Sequence, residues 1–394
     1  MTARTNWGAV LVSVAAGVVA ALHVGKVPPA IPLLRAELSL GLVAGGWVMS
    51  MFNALGMLTG IGFGLFTDVA GQRRMAFLGF AALLLGGLIG AAAGGATALL
   101  AGRFLEGAGF IAIGVSLPAV IVAASAPADR RFALSLWAIY TPAGSAAAML
   151  VAAWAQPAFG WRGLWLGVAA AGALTALLFW RMTRGVALPR PSGTPALGMV
   201  METVRQPGLW ALALAFVAYV FQWVSLMVWL PSSLIDTHHL TPAAATLLTA
   251  LVVFVNVPGN IAGGWLMQRG VPRGWLIAAA SAAMGVSAAL ALTGAVPDLL
   301  RYALCLAFSF CGGLLPAACL SGTAVHAPSP RHIGLANGLV VQGSNLGQFV
   351  GPPLIAAAVA LAGGNWQAAW LPMALAAAAG VALGLFVLRL ERRA

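Results

Sequence analysis

Gly64-Leu65-Phe66-Thr67-Asp68-Val69-Ala70-Gly71-Gln72-Arg73-Arg74 joins two long apolar runs, and a worn copy carrying Gly264, Gln268 and Arg273 returns about 200 residues later. A loop this short between apolar runs reads as the turn between two membrane helices. Its return at a fixed offset reads as a chain made of two similar halves, each a set of such helices.

Composition agrees. With 61% hydrophobic and 7% charged residues, the 394-residue chain has too few charges to solvate the surface of a water-soluble globule, whereas a lipid-facing surface needs none. Apolar stretches near the spanning length fall at residues 8–33, 42–65, 75–95, 98–121, 133–156, 163–183, 208–231, 243–266, 275–295, 299–321, 336–361 and 368–388. They are rich in Leu, Ala, Val and Gly and do not alternate, so the expectation is an all-α polytopic protein with twelve transmembrane helices rather than a barrel. The first stretch is too long for a signal peptide's apolar region and no small-residue cleavage site follows, so it is expected to stay in the protein.

Charge placement orients the chain. With the N-terminus cytoplasmic, the inside segments hold fifteen arginines, among them Arg73, Arg74, Arg130, Arg131 and Arg273, against Arg35, Arg162 and Arg301 outside. Both termini are then cytoplasmic. The formal charge of +12 is spread over many short loops, which makes it a topology signal and excludes a nucleic-acid footprint.

Chemistry that breaks covalent bonds is not legible. Eight acids and five histidines assemble no Ser/His/Asp set, HExxH or phosphate-cradling loop, so no enzyme is expected. Cys305, Cys311 and Cys319 share one apolar stretch with no nearby His or carboxylate, and they read as small core residues. No metal site and no cofactor are expected.

The longest polar interruption, Thr183 to Gln206, contains Pro189, Pro191, Ser192 and Pro195 and divides the stretches six and six. The expected organisation is an N-terminal six-helix bundle over residues 1–183, a cytoplasmic central loop over 184–206 and a C-terminal six-helix bundle over 207–394. The repeat shows again where Gly160-Trp161-Arg162 and Trp165 match Trp366-Gln367 and Trp370, and where Ala126-Pro127 and Arg130 match Ala327-Pro328 and Arg331. Parallel repeats of this kind place a substrate site between the bundles near the membrane midplane.

The pattern Gly64-xxx-Asp68-xx-Gly71-x-Arg73-Arg74 resembles the signature between the second and third helices of the major facilitator superfamily. Arg103-Phe104-Leu105-Glu106-Gly107-Ala108-Gly109 resembles that family's fourth-helix motif. The resemblance covers the whole chain and implies two pseudo-symmetric six-helix bundles that rock about a central site. Lys26-Val27-Pro28-Pro29-Ala30-Ile31-Pro32, followed by the motif loop, is similar to bacterial porters grouped with cyanate and nitroimidazole transporters. Gly64, Asp68, Gly71, Arg73 and Arg74 are then gate residues, with Asp68 able to accept from a helix N-terminus or an arginine of the far half. Arg73 and Arg74 can equally serve as topology anchors. Glycine strips at Gly56-Gly60-Gly64, Gly343-Gly347-Gly351 and Gly259-Gly263 offer close helix contact, and in the resembled family the second helix packs on the eleventh and the fifth on the eighth.

Lys26 is the chain's single lysine, well inside the first span, where an ammonium costs about 2.5–3.5 kcal/mol on an insertion scale. His23 lies one helical turn earlier on the same face. Arg103 comes to a similar depth in the fourth span. The expectation is a positive pocket of Lys26, Arg103 and His23, the alternative for Lys26 being to snorkel toward the outer interface. Glu106, three residues from Arg103, either neutralises it or, with His23, carries the proton. Tyr140 on the fifth span and Tyr219, Gln222 and Trp223 on the seventh are further candidates to bound a substrate.

The sequence therefore points to a secondary transporter of the bacterial inner membrane, working by alternating access as a monomer and carrying a small organic anion inward with a proton. The rival is proton-coupled efflux of drugs or metabolites. It is disfavoured because a cationic drug needs an intramembrane acid and Glu106 has an arginine beside it.

Overall fold

The computed structural model describes residues 4–60, 71–188, 197–293 and 296–392. Gly64 and Asp68 of the expected gate, and residues 189–196 of the expected central loop, lie outside them. Eleven helical runs among the described residues are long and apolar enough to cross a membrane. The fifth of these, Phe132–Thr183, is two helices, because Gly160 takes φ +64° and ψ −177°, a conformation open mainly to glycine. The twelve helices are α1 (Trp7–Glu37), α2 (Leu42–Gly60), α3 (Gln72–Ala91), α4 (Ala96–Ala124), α5 (132–159), α6 (161–183), α7 (Pro207–His238), α8 (Pro242–Gln268), α9 (Arg273–Leu292), α10 (Asp298–His326), α11 (Pro330–Leu361) and α12 (Trp366–Glu391). No strand occurs among the described residues. The all-α membrane architecture expected from the sequence is what the chain forms.

The helices gather into two compact units. One comprises Met1–Leu40, Gly62–Thr194 and Thr241–Ala250, hence α1, α3 to α6 and the start of α8. The other comprises Gly41–Ile61, Pro195–Leu240 and Leu251–Ala394, hence α2, α7, the rest of α8 and α9 to α12. In the second unit α2 has its partners on α11. A side chain at Gly46 would strike the backbone of Pro352 and Pro353, Ser50 Oγ donates to the Gln348 carbonyl at 3.3 Å, and Gln342 Nε2 donates to the Met57 carbonyl at 2.7 Å.

The internal repeat is written into the geometry of each unit taken by itself. Gly71 and Gly270, just before α3 and α9, both have φ +85°, a left-handed turn that leads into the following helix. In the first unit the indole N–H of Trp161 donates to Glu37 at 2.6 Å, and in the second that of Trp366 donates to Asp236 at 3.2 Å, tying the start of α6 to the end of α1 and the start of α12 to the end of α7. Arg73 donates to the carbonyls of Thr183 and Val186 at the C-terminal end of α6, and Arg273 is ion-paired with Glu391 at the end of α12.

Glycine sets how closely helices approach where lipid supplies no hydrophobic drive between them. A Cβ at Gly144 on α5 would come within 2.3 Å of the Val18 carbonyl oxygen of α1, and one at Gly347 on α11 within 2.6 Å of the Val217 carbonyl oxygen of α7. This corrects the expected use of two strips. Gly343, Gly347 and Gly351 lie against α7 rather than α2, and Gly259 and Gly263 lie against α10 at Phe310 and Leu314. Opposite Gly56 and Gly60 stand the polar side chains Asn345 and Gln342. Gly144→Val and Gly347→Val are each expected to destabilise the purified protein by about 1–3 kcal/mol or more through overpacking. A melting temperature equal to wild type in either variant would refute the backbone approach at that helix pair.

Elsewhere the cores are ordinary. Phe80, Leu83, Ile113, Leu117 and Phe179 fill the first unit, and Cys305 packs with Leu230, Val252 and Ala291 in the second, as a small apolar residue does.

Candidate functional site

Prolines decide where α1 is interrupted. Pro28 and Pro29 have no N–H to give to the carbonyls of Val24 and Gly25, and regular helix breaks for one residue, at Lys26, whose own N–H still reaches the Leu22 carbonyl at 3.0 Å. Gly25 lets the backbone of α5 come in at Ser145 beside this point. On the other side, Gly86 and Gly90 of α3 lie backbone to backbone against Gly102 of α4, which brings Arg103 and Glu106 close to α1.

The result is one charge cluster in the first unit. Lys26 Nζ donates to Glu106 Oε1 at 2.5 Å, His23 Nδ1 stands 2.9 Å from the same oxygen, and Arg103 pairs with Oε2. Arg103 also donates to the His23 carbonyl at 2.8 Å, and Lys26 Nζ lies 3.3 Å from His23 Nδ1. All four side chains are 0% exposed. The lysine ammonium also sits 4.3 Å from the ring centroid of Trp165 on α6, a cation–π contact in a dry setting.

Four residues named from sequence are therefore brought together, but not as the open positive pocket expected. Glu106 pairs with Lys26 as well as Arg103, so two cations share one carboxylate and, with the imidazole uncharged, the cluster keeps a net charge of one positive. Lys26 does not snorkel: its stem turns into the unit to meet Glu106. Unpaired, either cation would be prohibitively costly at this depth, and the shared carboxylate is what makes the burial tolerable.

Trp165 is a member that sequence reading missed. The signal available for it is the pair Trp161 and Trp165 opening the sixth span. His23 Nε2 and Trp165 Nε1 are buried without a hydrogen-bond partner among the described residues.

Within the first unit, the aromatic candidate Tyr140 lies apart from this cluster. Tyr140 stacks on Trp137 with ring centroids 4.3 Å apart and packs beside Gly17, nine residues before Lys26 and thus about 13 Å from it along α1. In the second unit, Asn256 Nδ2 of α8 donates to Tyr219 Oη at 3.3 Å and to the Ser309 carbonyl at 2.9 Å, while Trp223 Nε1 donates to Ser309 Oγ at 3.1 Å. Gln222 gives its Nε2 to the Ala218 carbonyl at 3.0 Å, leaving its Oε1 as a buried acceptor without a donor among the described residues. Of the gate residues inside the described range, Gly71 forms the left-handed turn, Arg73 holds the end of α6 and Arg74 is exposed. Among the described residues no group of His, Cys, Asp and Glu is arranged to hold a metal ion.

A family model described as Major Facilitator Superfamily matches residues 13–352. The chain belongs to that superfamily. Its similarity to a bacterial homolog of the human lysosomal transporter Spinster, solved in an inward-facing and unoccupied conformation, extends over 97% of this chain and 95% of that one, with a TM-score of 0.77 and 17% identity, and shows the shared major facilitator fold. Among curated superfamily relatives, a putative niacin/nicotinamide transporter of Bacillus subtilis is 26% identical over 65% of this chain and 65% of its own length. A probable nitrate/nitrite transporter of Mycobacterium tuberculosis is 27% identical over 48% of this chain and 47% of its own, so the chain spans less than two thirds of either relative. A nitrite extrusion protein of Bacillus subtilis is 28% identical over 86% of this chain and 83% of its own. By name these relatives are transporters or extrusion proteins rather than enzymes, and the superfamily's helices embed the chain in a membrane.

Proposed function

We propose that this protein is a secondary active transporter that takes up a small organic anion together with a proton by alternating access. The observation that carries the reading is the buried group of Lys26 and Arg103 on one carboxylate. Two fixed cations at membrane depth are a receptor for negative charge, and Glu106 holds the place of a substrate carboxylate when none is bound. Protonating Glu106 removes that competitor. Lys26 and Arg103 can then turn to an anion, so proton and anion travel together, which is the coupling a symporter needs.

The relatives' names lean the same way, since niacin, nitrate and nitrite are anions at neutral pH, while the nicotinamide named beside niacin is neutral. The six-plus-six organisation about residues 184–206, a gate at the Gly64 to Arg74 loop, a bacterial inner-membrane location with cytoplasmic termini and function as a monomer belong to the same proposal. Tyr219, Gln222, Trp223 and Tyr140 are assigned to the uncharged part of the substrate. Efflux of cationic drugs is the weaker reading, because Glu106, the acid deepest in a span, is already shared by Lys26 and Arg103.

The test is thermal stabilisation of the purified protein by nitrite, nicotinate and other small carboxylates against a panel of lipophilic cations. Stabilisation by an anion, stronger at acidic pH, is expected. Stabilisation by cations alone would sink the uptake reading and favour drug efflux.

A further inference from the structure

His23 is placed between the charge cluster and a nitrogen that the cluster does not use. Its Nδ1 faces Glu106 Oε1 at 2.9 Å, and an unprotonated Nδ1 there would set a lone pair against a carboxylate. Nδ1 also lies 3.3 Å from the Lys26 ammonium, but the shorter contact is the one to the carboxylate, and it is met by a neutral ring that carries its proton on Nδ1 and donates it to Oε1. Nε2 is then a basic lone pair, fully buried, with no donor among the described residues. Buried polar atoms are nearly always paired, so one that is not is a place where something arrives.

Around the ring, Lys26 comes from its own helix and Arg103 and Glu106 from α4. Gly87 of α3 lies beside it, so that a Cβ there would be 3.7 Å from Cε1 of the ring and 3.5 Å from Glu106 Oε1. Ser145 of α5, against Gly25, and Trp165 of α6, under Lys26, complete the surroundings, and neither they nor Gly87 titrate in the ordinary range.

We infer that His23 is a proton relay to Glu106. This rests on the proton-coupled reading above and names the group through which the proton enters. A proton from the aqueous side binds Nε2, forming an N–H bond there and an imidazolium. The Nδ1–H bond then breaks as an O–H bond forms on Glu106 Oε1. The products are a neutral ring protonated on Nε2 and a neutral carboxyl group, and Lys26 is released from its ion pair. Among the three cations at the carboxylate, imidazolium is intrinsically a far better proton donor than ammonium or guanidinium, so it is the one that gives. His23 is in this sense a positioning and transfer residue, and the substrate's contacts remain with Lys26 and Arg103.

Two measurements test it without a known substrate. In the full-length protein labelled with 15N-histidine, His23 should be found protonated on Nδ1 and bare on Nε2 at neutral pH, its signals identified by their loss in His23→Asn. A ring protonated on Nε2 instead, or charged across the whole pH range, overturns the relay. Secondly, infrared spectroscopy after a drop in pH follows the carbonyl stretch of protonated Glu106, identified by its absence in the Glu106→Gln/Lys26→Met double variant. In His23→Asn the band should reach its wild-type amplitude about a hundred-fold more slowly, the scale of acceleration a positioned acid or base provides. An unchanged rate overturns the relay and leaves Glu106 as the coupling group. Absence of the band in wild type, with anion stabilisation intact, overturns both the relay and the proton coupling.

Discussion

Glu106→Gln should be the most damaging single substitution in the first unit, lowering stability by about 3–5 kcal/mol, because it takes from two buried cations the carboxylate they share. Neither Lys26 nor Arg103 exposes any surface through which water could compensate. The amide keeps the shape and one acceptor, so the loss reports charge rather than a cavity. The measurement is thermal denaturation of the detergent-purified protein, with Lys26→Met and the double variant closing a mutant cycle. Glu106→Gln/Lys26→Met removes one buried cation together with the carboxylate and should recover a substantial part of the single variant's loss. A single variant as stable as wild type would mean that Glu106 carries no charge in the resting protein, and the competition between carboxylate and substrate would fail with it.

How far this site was legible in the sequence follows from what kind of information each contact needs. The i to i+3 neighbours, His23 with Lys26 and Arg103 with Glu106, are fixed by helix geometry and were readable directly. The pairing of Lys26 with Glu106 joins residues 80 apart. It depends on the depth and rotation of α1 against α4, which Gly86, Gly90 and Gly102 set by drawing α3 and α4 together. Nothing in the apolar pattern of either span states that rotation, so the sequence left Glu106 with Arg103 alone and the pocket open.

The same distinction separates what held in the fold from what did not. Spans are a property of local composition, and all twelve are present, including the division at Gly160 of a run that would otherwise be 52 residues long. The repeat was legible as Trp161 against Trp366 and Arg73 against Arg273. Their acceptors, Glu37, Asp236, the carbonyls ending α6 and Glu391, are tertiary facts. Glycine strips announced close contact but not with whom. Gly347 faces α7 rather than α2, where a Cβ would come within 2.6 Å of the Val217 carbonyl oxygen. The narrower likeness to cyanate and nitroimidazole porters rested on the Lys26 to Pro32 segment, whose structural outcome is the interruption of α1 and the placing of its lysine.

Lys26→Ala should abolish anion stabilisation while leaving the protein folded. Removing the lysine takes a cation from a cluster that holds one in excess, and Glu106 keeps its pair with Arg103, so the remaining charges balance. The stability cost should accordingly be well below that of Glu106→Gln. Binding is another matter. With Lys26 gone, a substrate carboxylate competes with Glu106 for the one remaining strong cation, and loses a charge-assisted hydrogen bond whose removal at a buried site costs about 2–5 kcal/mol. Affinity for nicotinate, nitrite or whichever small anion stabilises the wild type should fall by about a hundred-fold or more, read as loss of the thermal shift at saturating wild-type concentrations. Lys26→Arg separates charge from shape: guanidinium restores the cation but cannot place a compact ammonium both on Oε1 and over the Trp165 ring, so only partial recovery is expected. Full anion stabilisation in Lys26→Ala would show that the lysine is there for Glu106 alone, and the anion site would have to be sought away from α1.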